Sequence, residues 1–355
     1  MVEIALPTGT ATTPVVHGQK VFTGVSIVIP YYNDVQTITQ CLKAIRDSWE
    51  QLSPGRRGNF EVILVDDNSL IPFEFKEQEF DFQILRLNQN LGVGNVRNKG
   101  AHLATFSHVQ FVDSDVLLSP HYLSYLFDRL EADPGIKVLQ GPFSQIPANM
   151  NPSLFQQHMA LSWFYKASAI HSGEGVGTLL SSGCTAIEKD FFEAIGGFVG
   201  TYKGCGGEEF EIVSRMSPGT IVHDDHLLSY HYYDSFAERL GKSFKRAMNY
   251  RVTIGKNQNI PSAFKVRSGI KAICGLGMST CYVFSFFHLG YAIATYLFLG
   301  MVYCLVDAKL LLYIVRNGSW GLAVASVFFS QLEYALIALA MLADLVGWNT
   351  NVQQA

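Results

Sequence analysis

Charge is what this chain is short of. Asp, Glu, Lys and Arg make up 16% of its 355 residues, where an ordinary globular protein carries about a quarter. The shortage is local. From Ala272 to Val306 the only side chain able to carry a charge near neutral pH is His288, and that run exceeds the ~20 residues of one bilayer crossing. The 6 cysteines show no metal-ligand or disulfide spacing, which excludes a zinc module or a stapled scaffold and suits a reducing cytoplasm. No basic start or apolar core opens the chain, so residues 1–23 read as a loose tail without a cleaved leader. A formal charge of −4 gives nucleic acid no electrostatic footprint. Gly92-x-Gly94 lacks a third glycine and follows an internal strand, so a dinucleotide fingerprint is excluded.

What is present begins with apolar runs separated by helical patterns. Val25 to Pro30, Phe60 to Val65, Gln83 to Leu87 and Val109 to Val112 read as strands. Helical patterns run from about Val35 to Trp49 and from about Asn95 to Thr105. Strands alternating with helices predict an α/β fold with a mainly parallel sheet covered on both faces. Ligands of such sheets bind beyond the carboxyl ends of the strands. Pro30, Asp66, Asp67, Asn90 and Asp113 all fall at those ends and converge on one rim.

On that rim Asp113-Ser114-Asp115 carries the most chemistry. Two carboxylates one residue apart at a strand end can reach one divalent cation, and Mg²⁺ or Mn²⁺ is often shared between carboxylates and substrate phosphates. A helix-capping turn before Ser119-Pro120 explains an isolated Asp-x-Asp equally well. Its company decides.

Ile-Pro-Tyr-Tyr-Asn, Val-Asp-Asp-Asn-Ser, Asn-Leu-Gly-Val-Gly-Asn-Val-Arg-Asn-Lys-Gly and Asp-Ser-Asp follow in this order. Together they resemble the inverting, GT-A fold glycosyltransferases of family 2, over roughly residues 26–250. The resemblance implies a nucleotide-diphospho-sugar donor, expected to be a UDP-sugar. Its base would lie near Pro30, Tyr32 and Asp66, with Asp67 also in the donor site and Arg97 facing the diphosphate. Asp113 and Ser114 would line the donor site, and Asp113 with Asp115 would hold the cation. Residue chemistry suits these roles. A carboxylate such as Asp66 can accept a uracil N–H, the Tyr32 ring can stack, and a guanidinium fork fits phosphate oxygens. Turn residues after a strand, for Asp67 and Asn68, and a surface helix position, for Arg97, remain open as plainer readings.

Leu179 to Gly183 and Ile195-Gly196-Gly197-Phe198 match the acceptor half of that family. Gly204-Cys205-Gly206-Gly207 then opens a helix with Glu208 and Glu209 in its first turn. Acids there can simply favour the helix N-terminus. The resemblance instead implies a general base at Glu209, with Glu208 as rival. It also implies that His231 completes the metal site, and imidazole favours Mn²⁺ over Mg²⁺. His223 and His226 read as solvated loop histidines. Gly173, Gly175 and Gly177 fit either a mobile loop by the acceptor cleft or a linker.

Lys242, Lys245, Arg246, Arg251, Lys256, Lys265, Arg267 and Lys271 precede the long apolar run, and Lys309 and Arg316 follow it. Positive charge on both flanks predicts a helical hairpin turning near His288 to Gly290, with both ends in the cytoplasm. Anionic membrane lipids account for the basic run. Trp320 to Trp348 is a third apolar stretch, interrupted by Glu333 and Asp344, and fits a third span or an interfacial helix. The expected organisation is a tail at 1–23, a GT-A glycosyltransferase domain at 24–255 and a membrane region at 256–355.

The expected protein is therefore an integral membrane glycosyltransferase with its catalytic domain in the cytoplasm, at a bacterial inner membrane. Its acceptor would be lipid-linked or a cell-surface glycan. The Gln-x-x-Arg-Trp pattern of processive relatives is absent, and Phe244-Lys245-Arg246 stands in that region, so single addition is expected. Two alternatives stay open: a sugar-phosphate or nucleotidyl transferase on a similar sheet, and an inactive nucleotide-binding scaffold.

Overall fold

In the computed structural model, which describes residues 21–74, 80–171, 180–200, 208–243 and 262–345, the apolar runs become the middle of a seven-stranded sheet. β1 (Val25–Tyr31) and β2 (Phe60–Asp66) are buried along their whole length. Strands covered on both faces read in this way as continuous apolar runs. β3 (Asp81–Arg86) and β4 (His108–Val112) flank them in the parallel order β3-β2-β1-β4. Helix α1 (Val35–Glu50) turns Ile38, Cys41, Leu42, Ile45 and Trp49 to one face of the sheet, and α2 (Pro54–Arg57) is a single turn. On the other face α3 (Val93–Leu103) lies close to β1. It can do so because Gly100 has no side chain: a Cβ there would sit 2.3 Å from Val28 Cγ1.

The second half of the sheet is mixed. β5 (Val116–Leu118), α4 (Tyr122–Ala132), β6 (Val138–Gln140), α5 (Leu154–His171), β7 (Cys184–Glu188), α6 (Lys189–Ala194), α7 (Glu208–Ser214), β8 (Ile221–His223) and β9 (Ser229–His231) follow. β7 runs antiparallel to β4 and β6, while β8 is parallel to β6. β5 pairs antiparallel with β9, setting Val116 opposite His231. The chain leaves β1 in one direction and returns on its other side as β4. The crevice beyond these two carboxyl ends is the topological switch point.

Some element boundaries differ from the sequence pattern for local reasons. β3 is a mostly exposed edge strand, so its apolar pattern locates it only to within two residues. α3 stops at Leu103 because Glu61 Oε1 accepts both the N–H and the hydroxyl of Thr105, each at 2.7 Å. The alternating stretch 227–233 forms only three strand residues. The Leu227 N–H turns to the Asp224 carbonyl, and Asn149 Oδ1 takes the Tyr233 N–H.

The C-terminal part is helical: α8 (Ser262–Phe284), α9 (Leu289–Val306), α10 (Ala308–Asn317) and α11 (Trp320–Leu345). α8 and α9 form the expected hairpin, reversing over 285–288. Among the described residues, Leu289–Val306 and Trp320–Ala340 are long and apolar enough to cross a membrane by length and composition. α8 is the more polar limb, since Arg267 and Lys271 in its first half both reach Asp307, at 2.9 and 2.5 Å. The boundary expected at 255, and Lys245, Arg246, Arg251 and Lys256, lie outside the described residues.

α11 joins the two parts. Its first half lies on α5, where Ser326 Oγ meets His158 Nδ1 at 2.9 Å and Phe329 meets Phe155 at 5.2 Å. Its second half crosses α8 at Gly275, where a Cβ would come within 2.7 Å of the Gln331 carbonyl. Glu333, the acid inside this apolar stretch, accepts Arg239 Nη2 at 2.9 Å.

Candidate functional site

The rim starts at the end of β1. Pro30 is buried in the strand, whereas Tyr32 is 52% exposed and presents its ring. Asn33, with φ 54°, turns the chain so that its N–H reaches Ser69 Oγ and its Oδ1 accepts from Leu70 N. These bonds tie the loops after β1 and β2 together. Asp66 and Asp67 are 1% and 4% exposed. Asp66 accepts Arg86 Nη1 and the Ser69 N–H at 2.7 and 2.8 Å. Asp67 accepts the N–H groups of Leu91 and Gly92 at 2.7 and 3.0 Å, so it shapes the entry to α3. Both carboxylates brace the wall of the crevice. Each Asp66 oxygen already accepts one donor, from Ser69 and from Arg86, and a carboxylate has further acceptor sites for a nucleobase N–H.

Opposite lies the end of β4. The Ser114 hydroxyl donates to Asp34 Oδ2 at 2.6 Å, linking the end of β4 to the loop after β1. The Asp113 N–H donates to the Gly183 carbonyl, and its Oδ1 accepts Arg97 Nη2 at 2.6 Å. Gly183 is required here, since a Cβ would sit 2.7 Å from Asp113 Oδ2. Asp115 faces the other way. Its Oδ1 has no hydrogen-bond partner and lies 3.7 Å from His231 Nε2. Desolvation pushes its carboxyl up to about 6; His231 opposes that shift, while Asp113 and Asp34 add to it. The Tyr232 N–H bonds to the Asp115 carbonyl, and the His231 ring packs between Phe143 and Tyr233, which fixes its position. Among the described residues no three His, Cys, Asp or Glu side chains close on one point. Asp115 and His231 form a pair, with Asp113 drawn aside by Arg97.

Arg97 lies deep at the site. It is 2% exposed, with Nη1 3.6 Å from Glu208 Oε1 and its guanidinium 5.5 Å over the Phe198 ring. It faces two carboxylates and an aromatic ring, and its Nε and Nη1 make no hydrogen bond among the described residues. The result is a bridge from the end of β4 to the start of α7. The neighbouring Glu209 accepts the Ser182 hydroxyl at 2.7 Å and its N–H at 3.2 Å. Burial raises the Glu209 carboxyl to about 7, Glu208 adds to the shift, and the Ser182 hydroxyl opposes it. Ser182 precedes the Gly183 that is bonded to Asp113, so metal-side and base-side acids sit on one framework.

Several parts of this site were invisible in the sequence. Asp34, Arg86 and Ser182 are brought in by tertiary contacts. Asn98 clamps Phe198 through Nδ2 to its carbonyl and Oδ1 to its N–H, at 2.7 and 2.9 Å. The Asn-x-Gly spacing of Asn98 and Gly100 was the available signal, since both lie within the long motif. Gly173, Gly175, Gly177 and the glycines at 204–207 lie outside the described residues. His223 borders Gln140, and His226 pairs with Asp224 at the surface, so neither joins the site.

Comparison with known proteins places this geometry. Residues 26–196 match the family described as Glycosyl transferase family 2. The Bacillus subtilis protein EpsH is 31% identical over 103 residues, which is 28% of each chain. Human polypeptide N-acetylgalactosaminyltransferase 14 is 27% identical over 207 residues, covering 54% of this chain and 37% of its own. The chain spans only 28% to 38% of the length of the first curated relatives. A mannosyltransferase from Pyrobaculum calidifontis shares the fold, with TM-score 0.51 and 15% identity, covering 92% of this chain and 91% of its own.

Proposed function

The chain carries a glycosyltransferase family 2 domain over residues 26–196, and from that premise we propose that it moves a sugar from a UDP-sugar to a lipid-linked or cell-surface glycan acceptor, inverting the anomeric carbon in one displacement. The supporting observation is the meeting of two acid sets across Arg97. Asp113 at the end of β4 and Glu208 at the start of α7 share that guanidinium, leaving Asp115 beside His231 and Glu209 beside Ser182.

The unpartnered Asp115 Oδ1 facing an imidazole nitrogen fits a divalent cation. Asp115 and His231 would hold it, with Asp113 adjacent, and the imidazole favours Mn²⁺ over Mg²⁺. When bound, such a cation supplies positive charge for the departing diphosphate. The Pyrobaculum calidifontis enzyme was solved with GDP-Man and Mn²⁺, which supports both the donor class and the cation class. Tyr32 offers the nucleobase a stacking face, between walls braced by Asp66 and Asp67.

Glu209 is the base in this reading. Its carboxylate takes the acceptor hydroxyl proton as that oxygen bonds to the anomeric carbon, and the bond to the diphosphate oxygen breaks on the opposite face. A carboxyl near 7 is matched to this task, because base catalysis works best when the pKa lies close to the working pH. Glu208 is turned to Arg97 and serves to fix the start of α7. Measuring nucleotide release across a panel of donors, with purified protein in detergent, tests the reaction class. Release of UDP with sugar transferred supports it, and release of pyrophosphate contradicts it.

The pH profile follows from the same residue. Transfer needs Glu209 ionised, so kcat/KM should climb with pH and level off above about 7. Ser182→Ala removes the hydroxyl that lowers the pKa, so the climb should move to higher pH. A profile that stays in place in this variant would detach it from Glu209.

In this reading the domain works at the cytoplasmic face of a bacterial inner membrane, anchored through the C-terminal helices. A cysteine introduced at Gly290, in a background without native cysteines, should be labelled from outside intact cells, whereas one at Asn317 should not. Labelling at Asn317 from outside would leave a single crossing.

A further inference from the structure

We propose that Tyr233 is a positioning residue that makes the cation site selective, by holding the His231 imidazole in place as a nitrogen ligand. This rests on the reading of Asp115 and His231 as the cation pair. A histidine that binds a metal is usually fixed through its other ring nitrogen, which donates to a carboxylate, a carbonyl or a water. His231 turns Nε2 toward Asp115 Oδ1 at 3.7 Å, and among the described residues its buried Nδ1 has no hydrogen-bond partner. The ordinary brace is missing, and two rings stand in its place. Tyr233 stacks on the imidazole, with centroids 4.7 Å apart and planes 28° apart, and Phe143 meets it edge-on at 4.9 Å.

Both rings are pinned through the backbone. Asn149 Oδ1 accepts the Tyr233 N–H at 2.8 Å, and its Nδ2 donates to the Tyr233 carbonyl at 3.2 Å. Gln156 Nε2 donates to the same carbonyl at 2.9 Å. Next to Phe143, the Ser144 N–H donates to the Ser229 carbonyl at 2.7 Å, and the Ala148 N–H donates to the His231 carbonyl at 3.0 Å. Tyr233 is 6% exposed, and among the described residues its hydroxyl has no hydrogen-bond partner. The ring is therefore what holds the imidazole, and the hydroxyl is not. Ligand chemistry says what this clamp selects. Mg²⁺ keeps to oxygen ligands, whereas Mn²⁺ also takes an imidazole nitrogen. An imidazole held in place favours Mn²⁺. One free to rotate leaves the carboxylates of Asp113 and Asp115, which serve either cation. Cation preference is thus set one step outside the ligands. Tyr233 also belongs to the apolar cluster of Phe155 and Met159 on α5, so lost packing has to be told apart from lost selectivity.

Comparing the two cations separates these. UDP affinity of the full chain in detergent is measured by calorimetry at increasing Mn²⁺ and, in parallel, at increasing Mg²⁺. The concentration of each cation that gives half its effect is the readout. In Tyr233→Leu the Mn²⁺ value should rise by roughly ten- to a hundredfold, the usual effect of losing a support behind a ligand, while the Mg²⁺ value should barely move. Tyr233→Phe keeps the ring and should match the unmodified protein. Asn149→Ala frees the Tyr233 backbone but leaves its ring, so it should raise the Mn²⁺ value by less, and it carries the test if Tyr233→Leu does not fold. Equal weakening toward both cations would reduce Tyr233 to packing and overturn the proposal. A loss in Tyr233→Phe as deep as in Tyr233→Leu would overturn it too, by moving the role to the hydroxyl. A cation effect that persists in the variants with its preference unmoved sinks this inference alone. No cation effect on UDP binding in the unmodified protein removes the cation reading beneath it.

Discussion

Glu209→Gln should lower sugar transfer by roughly 10²–10⁴-fold, the usual scale of general base catalysis and about 3–5 kcal/mol of barrier. Glutamine keeps the shape of the side chain and can still accept from Ser182, but it cannot take a proton. UDP affinity, measured by calorimetry, should change little, since Tyr32 and the Asp115–His231 pair lie elsewhere on the rim. Glu208→Gln should be milder on the chemical step. It removes one of two carboxylates from Arg97, and Asp113 remains at 2.6 Å to hold that guanidinium. A deeper loss in Glu208→Gln would exchange the roles of the two residues. Near-normal rates in both variants would reduce the pair to acids favouring a helix start.

Asp115→Ala should abolish measurable transfer. The variant removes the oxygen that faces His231 without a hydrogen-bond partner, and with it the best-placed ligand for a cation. EDTA should silence the unmodified protein equally, and added Mn²⁺ should restore that protein but not the variant. A second readout separates metal loss from misfolding: Mn²⁺ should tighten UDP binding in the unmodified protein and have no such effect in Asp115→Ala. Full activity in the chelator would leave Asp113-Ser114-Asp115 a turn after a strand.

The legible parts of the fold were those whose burial leaves a long pattern. β1, β2 and β4 are covered on both faces and appear as unbroken apolar runs, and α1 shows its buried stripe at helical spacing. β5, β6, β8 and β9 have three residues each, too few for any period to register. The acids of the rim were legible because a parallel sheet gathers its strand ends. Their orientations were not. Arg97 sits beside Asn98 and Lys99 in a polar-looking helix, yet Gly100 lets that helix press against β1 and turns the guanidinium inward. Nothing near Asp66 announced Arg86, twenty residues later, as its partner. Partners so distant in sequence are set by the packing of whole elements, which no local pattern records.

The bond between Arg239 and Glu333, with Phe155 and Phe236 packed on Phe329 beside it, locks the catalytic domain to the helices at one height. A domain swinging on a loose tether could meet acceptors of many sizes. This one is held: its contacts with the C-terminal helices set the distance between those helices and the Asp115–His231 pair. Under the proposed anchoring of these helices in a bilayer, that distance would act as a ruler, admitting acceptors by how far their polar head stands from the membrane, without any contact to the sugar.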